Sequence, residues 1–387
     1  MLLSISILTY NRLALLKGLI GSIRESGILD DGKTELVILD NGSTDGTSIY
    51  LQGLAREKYV SVVRREFNLR GSQAYEQLIQ ASKGDWIISP GDDDIFIPSA
   101  LRQLPLQLKL ATEETMLMPF AAKTINQFGT LTPIEYKPTS ETRTSALMAE
   151  LFHKSIYWFP ATCFRSSLVT NFRVPKTITV FDWWIWLQGC ANGVVSPQSS
   201  AIIKYRVHDG QEQRSYSSRA WNLDYLDSFL HFIESGSIRQ WLRKTSEMEV
   251  TEFFSLLSSA KQPIMEIDLD LLYLRLARAA VEEKPSLSQP IIDFLVSKGL
   301  DPRFVSQYFG RDLSLGIIKK TLIQLGESEQ NISANNDRGS LESLLSDLLL
   351  EKRKQEVAET PTPFEFRILT FYRKIRYSRI VRKVIKK

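Results

Sequence analysis

Three consecutive carboxylates, Asp92, Asp93 and Asp94, stand between two apolar runs, Trp86 to Ile88 and Ile95 to Ile97. Adjacent like charges are unfavourable unless a cation or solvent screens them. Asp is also a poor residue for a strand interior, so the run is expected just past a strand end. That is where open α/β sheets bind their ligands. Hard oxygen donors suit Mg²⁺ or Mn²⁺, ions that usually arrive bridging substrate phosphates. On these residues alone a solvated acidic turn explains the run equally well.

The elements around the run favour a ligand crevice. Residues 2–8 read as a buried strand ending at Thr9, Tyr10, Asn11 and Arg12, and Leu13 to Ser22 as a helix with apolar helical spacing. Glu35 to Leu39 is a second buried strand, ending at Asp40, Asn41 and Gly42. Val60 to Val63 is a third, after which Asn68 to Ser72 opens another helix. A fourth strand leads into the Asp triplet. Alternating buried strands and helices mean βαβ crossovers and a mostly parallel sheet flanked by helices. Polar residues recur at the strand ends: Thr9 and Asn11, Asp40, Asn68 and Arg70, Asp92 and Asp93. Asp40 taken singly has two readings. It starts a good turn with Asn41 and Gly42, and an acid at a second-strand end can accept hydrogen bonds from a nucleoside. The chain has neither GxGxxG after the first strand nor GxxxxGK[ST], which removes the usual dinucleotide and P-loop readings.

Composition bounds the rest. At 387 residues, 43% hydrophobic and 24% charged, the chain exceeds one ordinary domain and is typical of soluble globular proteins. Two cysteines, Cys163 and Cys190, with no CxxC, argue against a disulfide framework or a zinc site and suit a reducing cytosol. No run of about 18 apolar residues suggests a transmembrane helix, and the start lacks signal-peptide features. Of 48 basic and 44 acidic side chains, nine basic and one acidic fall in residues 364–387, leaving 39 against 43 elsewhere. The body is slightly acidic and the tail strongly basic, which points the tail at an anionic surface.

Ser4 to Arg12, Val37 to Asp45 and Gly84 to Pro98 together resemble glycosyltransferase family 2, in that family's order and spacing. The resemblance covers roughly residues 1–215. It implies a GT-A nucleotide-diphospho-sugar transferase fold and inverting sugar transfer, with Thr9 and Tyr10 lining the nucleoside pocket and Asp40 contacting the base. Asp92 and Asp93 match the DXD-type region, Asp93 as the direct metal ligand; where many members carry the first acid of that motif, this chain has Gly91. Ile156 to Arg165 resembles the segment that shapes the acceptor side. Phe181 to Leu187 resembles the family's Glu-Asp element, in which an acid serves as base. Phe181 stands in the first acid's place, so only Asp182 can take that role. Inversion needs one carboxylate to accept the acceptor hydroxyl's proton. The aromatic residues around Asp182 would raise its pKa and offer flat faces to a sugar ring; the other reading is an Asp capping a helix whose Trp183, Trp184 and Trp186 are core. Ala201 to His208 resembles the family's last strand and close, which makes His208 a candidate second ligand for metal or diphosphate. Arg206, Arg214 and Arg219 are candidates to neutralise the departing diphosphate.

Beyond residue 215 the pattern turns helical. The expected domains are a catalytic one over 1–215, a helical accessory region over 216–325, a linker with a short amphipathic helix over 326–363, and a basic aromatic tail over 364–387. Leu341, Leu344, Leu345 and Leu348 suit packing or a homodimer contact. The tail reads as a membrane-surface anchor, a basic helix folded back on the body, or a nucleic-acid tail; the membrane is preferred over nucleic acid. The sequence therefore predicts a metal-dependent (Mn²⁺ or Mg²⁺) inverting glycosyltransferase, peripheral on the cytoplasmic face of the cell membrane. It would take a nucleotide-sugar donor and a glycan or lipid-linked oligosaccharide acceptor, in cell-surface polysaccharide assembly. A nucleotidyltransferase and a non-catalytic sugar- or lipid-binding scaffold are the rivals.

Overall fold

The computed structural model describes residues 1–69, 71–152, 156–170, 181–208, 228–229, 231–233, 236–259, 270–300 and 305. The chain divides into two compact units, Met1–Lys298 and Gly299–Lys387. In the second, only Gly299, Leu300 and Val305 are described, so the leucine helix and the basic tail lie outside the described residues.

Strands β1 (Leu3–Thr9) and β2 (Thr34–Asp40) are buried along almost their whole length, as strands covered on both faces must be. They pair in parallel, with Leu3 opposite Thr34 and Thr9 opposite Asp40. β3 (Val60–Arg64) extends the sheet beyond β2, and β4 (Trp86–Ile88) pairs with the other side of β1. Helices α1 (Leu13–Ser26), α2 (Thr47–Leu54) and α3 (Gly71–Ala81) make the crossovers. The chain thus runs outward from β1 to β3 and then crosses back to β4. That reversal is the switch point of an open α/β sheet, and the crevice there opens beyond the carboxyl ends of the strands.

The remaining elements of this layer are β5 (Ile95–Phe96), α4 (Pro98–Leu110), β6 (Thr115–Ile125), β7 (Leu131–Tyr136), α5 (Thr144–Leu151), β8 (Thr162–Arg165), α6 (Phe181–Asn192), β9 (Val194–Val195) and β10 (Gln198–Arg206). The sheet order is β3-β2-β1-β4-β8-β6-β10-β5, with β7 and β9 against β6. The first four strands are parallel, as expected from helical crossovers. Beyond them the sheet is mixed: β4 with β8, β8 with β6 and β10 with β5 are antiparallel, while β6 with β10 is parallel.

The core is built from β1, β2 and β4 with α1 and α4: Ile5, Ile7, Leu16, Leu19, Ile38, Trp86, Leu101 and Leu104 are all fully buried. α1 runs to Ser26, past the expected end at Ser22. Ile23 continues its apolar stripe, and Gly27, at φ 67°, supplies the left-handed stop. Further along, α7 (Ser237–Lys244) packs on α6 and α8 (Glu247–Ser259) on α5; α9 (Asp270–Glu283) and α10 (Ser288–Ser297) complete the layer. An aromatic seam holds it to the sheet domain. Phe152 stacks on Phe229 at 4.5 Å and meets Phe253 edge-on at 6.0 Å, and Trp241 meets Phe253 at 5.4 Å. Such pairs add about 0.5–1.5 kcal/mol each to the area they bury. Glu252 of α8 takes hydrogen bonds from Arg143 and, at 2.9 Å, from Ser145. No helix among the described residues is long and apolar enough to cross a membrane.

Gly42, after β2, needs its missing side chain. It sits at φ 85°, and a Cβ there would stand 2.7 Å from the carbonyl carbon of Phe67 and 2.9 Å from the backbone nitrogen of Asn68. Backbone cannot yield as a side-chain tip can. Gly42→Ala is expected to lower stability by about 2 kcal/mol or more, from left-handed strain and overpacking. The urea midpoint should fall with the slope unchanged.

Candidate active site at the strand ends

The Asp turn follows β4 directly, and all three of its carboxylates are buried: Asp92 is 6% exposed, Asp93 7% and Asp94 not at all. Each has been given different partners. Asp94 faces inward, accepting the Gly91 N–H at 2.9 Å and the Arg206 N–H at 3.0 Å. It ties the turn to the end of β10, and burial together with the Asp93 charge holds its pKa well above the usual carboxylate range. A Cβ on Gly91 would lie 2.6 Å from Asp93 Oδ1, so a side chain at that position would have to push the Asp93 carboxylate aside. Asp92 accepts the Thr9 hydroxyl at 2.8 Å. Burial pushes its pKa up to about 6, with Asp93 adding to the rise and Arg12 and Thr9 opposing it.

Arg12 and His208 close the turn from two sides. Arg12 Nη1 donates to Asp92 Oδ1 at 2.9 Å and to Asp93 Oδ2 at 3.0 Å. His208 Nε2 lies 2.8 Å from the same Asp93 oxygen. Arg206, expected at a departing diphosphate, has another task. Its Nε donates to the Asp93 carbonyl at 2.7 Å, and its Nη1 to the carbonyls of Asn126 and Gln127, both at 3.2 Å. A guanidinium with several N–H donors is well made to collect backbone carbonyls. Here it fastens the Asp turn to the β6–β7 connection.

The loop after β1 is shaped to deliver Arg12. Asn11 adopts φ 51°, a conformation Asn tolerates better than most residues. Its N–H donates to Ser43 Oγ at 2.9 Å and its Oδ1 accepts the Thr44 N–H at 2.7 Å. Asp45 caps the start of α1 from a distance, accepting the Leu13 N–H at 3.0 Å, and also accepts the Thr47 hydroxyl at 2.6 Å. Asp40 is fully buried, its oxygens accepting the Ser43 N–H at 2.9 Å and the Ser48 hydroxyl. It therefore organises this loop. Asn41 clamps the next loop, with Nδ2 donating to Asn68 Oδ1 at 2.6 Å and Oδ1 accepting the Leu69 N–H at 3.1 Å. Thr9 is buried with its hydroxyl on Asp92, while Tyr10 is 41% exposed. Arg70, Arg214 and Arg219 lie outside the described residues.

Asp182 occupies the first turn of α6, and burial pushes its pKa up to about 6 although the helix N–H groups of Trp183 and Asp182 itself oppose this. Tyr75 of α3 packs beside the start of α6. Its ring lies 4.1 Å from that of Phe181. Burial raises its own pKa, the Ser89 hydroxyl opposes that rise, and the Asp182 charge adds to it. Ser89 immediately follows β4 and donates to the Ser6 carbonyl of β1. The neighbouring tryptophans correct the sequence expectation. Trp183, Trp184 and Trp186 are all buried, and Trp183 donates to the Leu151 carbonyl at 2.8 Å. They desolvate the region and present no open face to a sugar.

The Asp92 and Asp93 oxygens already converge on one positive centre, the Arg12 Nη1. The two carboxylates are oxygen donors that suit Mg²⁺ or Mn²⁺, and the His208 imidazole lies beside them. No group of three His, Cys, Asp or Glu among the described residues closes on a single point. An ion here would complete its shell with substrate phosphate and water, the usual manner of Mg²⁺. Sequence reasoning named His208 and Asp93 but passed over Arg12, although three adjacent carboxylates beside one strand-end arginine carried that signal.

Residues 4–119 match the family model described as Glycosyl transferase family 2. No curated protein matches the chain. Among solved structures, S. aureus TarS 1–349 in complex with UDP-GlcNAc is 14% identical, aligning over 75% of this chain and 91% of that one with a TM-score of 0.48. The mannosyltransferase PcManGT from Pyrobaculum calidifontis, in complex with GDP-Man and Mn²⁺, is 12% identical over 77% and 86%, with a TM-score of 0.42.

Proposed function

From the match of residues 4–119 to the glycosyltransferase family 2 model, we propose that the chain moves a sugar from a nucleoside-diphosphate sugar to an acceptor hydroxyl, with inversion and with a divalent cation. The observation that carries this reading is the buried Asp92–Asp93 pair at the sheet's switch point, with two oxygens aimed at one cationic nitrogen. A crevice of that kind suits an anionic ligand that brings its own cation.

The roles follow from position. Tyr10, which is exposed, and Asn11 are assigned to the nucleoside together with Thr9 and Asp40, which are buried at the ends of β1 and β2. Arg70 follows the Asn41–Asn68 clamp and is assigned to the donor's phosphates. Asp93, with Asp92 and His208 beside it, would hold the cation, which when bound neutralises charge on the leaving diphosphate. Asp182 accepts the proton of the acceptor hydroxyl. The hydroxyl oxygen then forms its bond to the anomeric carbon from the face opposite the diphosphate, which leaves with the electrons of the broken C–O bond. The charge logic parallels glycoside hydrolysis. A carboxyl with its pKa near 6 is a stronger base than an ordinary aspartate and is still ionised at neutral pH.

The acceptor is proposed to be a glycan or lipid-linked oligosaccharide, reached at a membrane surface through residues 364–387. The nine basic side chains there support this, each worth about 1 kcal/mol near an anionic leaflet. Deleting residues 364–387 is expected to abolish sedimentation with anionic vesicles while sparing donor turnover; retained sedimentation would remove the anchor.

The test of activity is nucleoside diphosphate release from a panel of nucleotide-sugars, with Mn²⁺ and with EDTA. Release from one donor, lost in EDTA, is expected. Absence of both release and binding for every donor would contradict the proposal. Asp182→Asn is expected to lower kcat by about 10²–10⁴-fold with donor affinity within about twofold. In the parent protein kcat should fall about tenfold per pH unit below about pH 6, where Asp182 keeps its proton. The stability sign is opposite. The folded pKa lies above the unfolded value near 3.9, so the ionised carboxyl opposes folding as pH rises from about 4 through about 6. Asp182→Asn removes that loss, and the variant should melt at or above the parent at neutral pH.

A further inference from the structure

The Arg12 guanidinium and a divalent cation would need the same place. Arg12 Nη1 contacts one oxygen of each carboxylate, Asp92 Oδ1 and Asp93 Oδ2, and a cation bridging that pair would lie within the space the nitrogen fills. A divalent ion binds oxygen at about 2.0–2.2 Å and takes the lone pairs that the guanidinium now uses. The pair's two negative charges also cannot hold three positive ones without strong repulsion, in a site that admits little water to screen it.

Arg12 is built to let go. Its backbone is fixed, since its carbonyl accepts the Leu16 N–H at 2.9 Å in the first turn of α1 and the preceding residue, Asn11, is pinned to Ser43 and Thr44. Its side chain is 28% exposed, far more than the carboxylates it bridges. The guanidinium can therefore leave by its own rotations while the backbone stays in place. We propose that Arg12 is the resident counter-cation of the Asp92–Asp93 pair and gives up this position when a divalent cation binds, turning then to the donor's phosphates. Before the donor arrives, Arg12 spans the two carboxylates and offsets their charge. The exchange makes Arg12 a positioning residue for the metal, and it rests on the glycosyltransferase reading only in supposing that a metal binds.

The test is Mn²⁺ binding to the full chain, followed by the loss of the free-ion electron paramagnetic resonance signal without nucleotide. The parent is compared with Arg12→Gln, Arg24→Gln and Asp93→Asn. Arg12→Gln is expected to bind Mn²⁺ about tenfold more tightly than the parent, the weight of one charge-assisted hydrogen bond released. Arg24→Gln removes the same charge from an exposed pair with Glu57 and should change affinity less than about twofold. Asp93→Asn should lose the tight site. Equal or weaker binding by Arg12→Gln, or an equal rise in Arg24→Gln, would overturn the proposal while leaving the transferase reading intact. Failure of every protein to bind Mn²⁺, even with a nucleoside diphosphate added, would remove the metal from both. If Arg12→Gln does not give a cooperative melt, Arg12→Lys, which keeps one donor head and loses the fork, should show a smaller rise in the same direction; no rise there would also overturn it.

Discussion

Three consecutive carboxylates are buried at the end of β4, and the rest of the site is arranged around the cost of keeping them there. Removing a carboxylate from water is costly unless charge or hydrogen bonds replace the solvent. The protein divides the task. Asp94 is answered by backbone N–H groups and becomes part of the scaffold. Asp92 accepts the Thr9 hydroxyl and the Arg12 guanidinium, and Asp93 accepts Arg12 and lies against His208. Two of the three remain directed at the crevice, and the third holds the turn so that they point there.

That arrangement draws on distant parts of the chain. Arg12 comes from just past β1, Arg206 from the end of β10 and His208 from just beyond it. The parallel register of β1 with β2 and β4 sets the strand ends side by side, and the Asn41 and Asp45 hydrogen bonds then lock the loops between them. The loop residues that resemble binding residues in the sequence are in good part the residues that fix the loops.

The first four strands were legible because parallel strands buried on both faces read as continuous apolar runs, and their ends as clusters of Asp, Asn and Gly. The strands after β4 were harder to read. Their antiparallel pairings depend on which short segment meets which edge, and apolar content does not encode that. Asp92 and Asp93 could be named from their types and places, and Asp182 and His208 from the resemblance. What each partner does could not be read the same way. Arg206 turned to carbonyls and Arg12 to carboxylates, although both are arginines at strand ends. Only the direction of the side chain separates those roles. The tryptophans of α6 were ambiguous for a like reason, since a helix with aromatic residues on several faces gives no sign of which face is covered.

The central claim is that the Asp92–Asp93 pair is a cation position serving a diphosphate. The most direct measurement is anomalous diffraction from crystals of the full chain grown with Mn²⁺ and a nucleoside diphosphate. The account predicts a manganese peak within coordination distance of an Asp93 carboxylate oxygen, diphosphate oxygens on the same ion, and the Arg12 guanidinium moved off the pair. Bound nucleotide with no manganese at Asp93, and Arg12 still bridging Asp92 and Asp93, would contradict it.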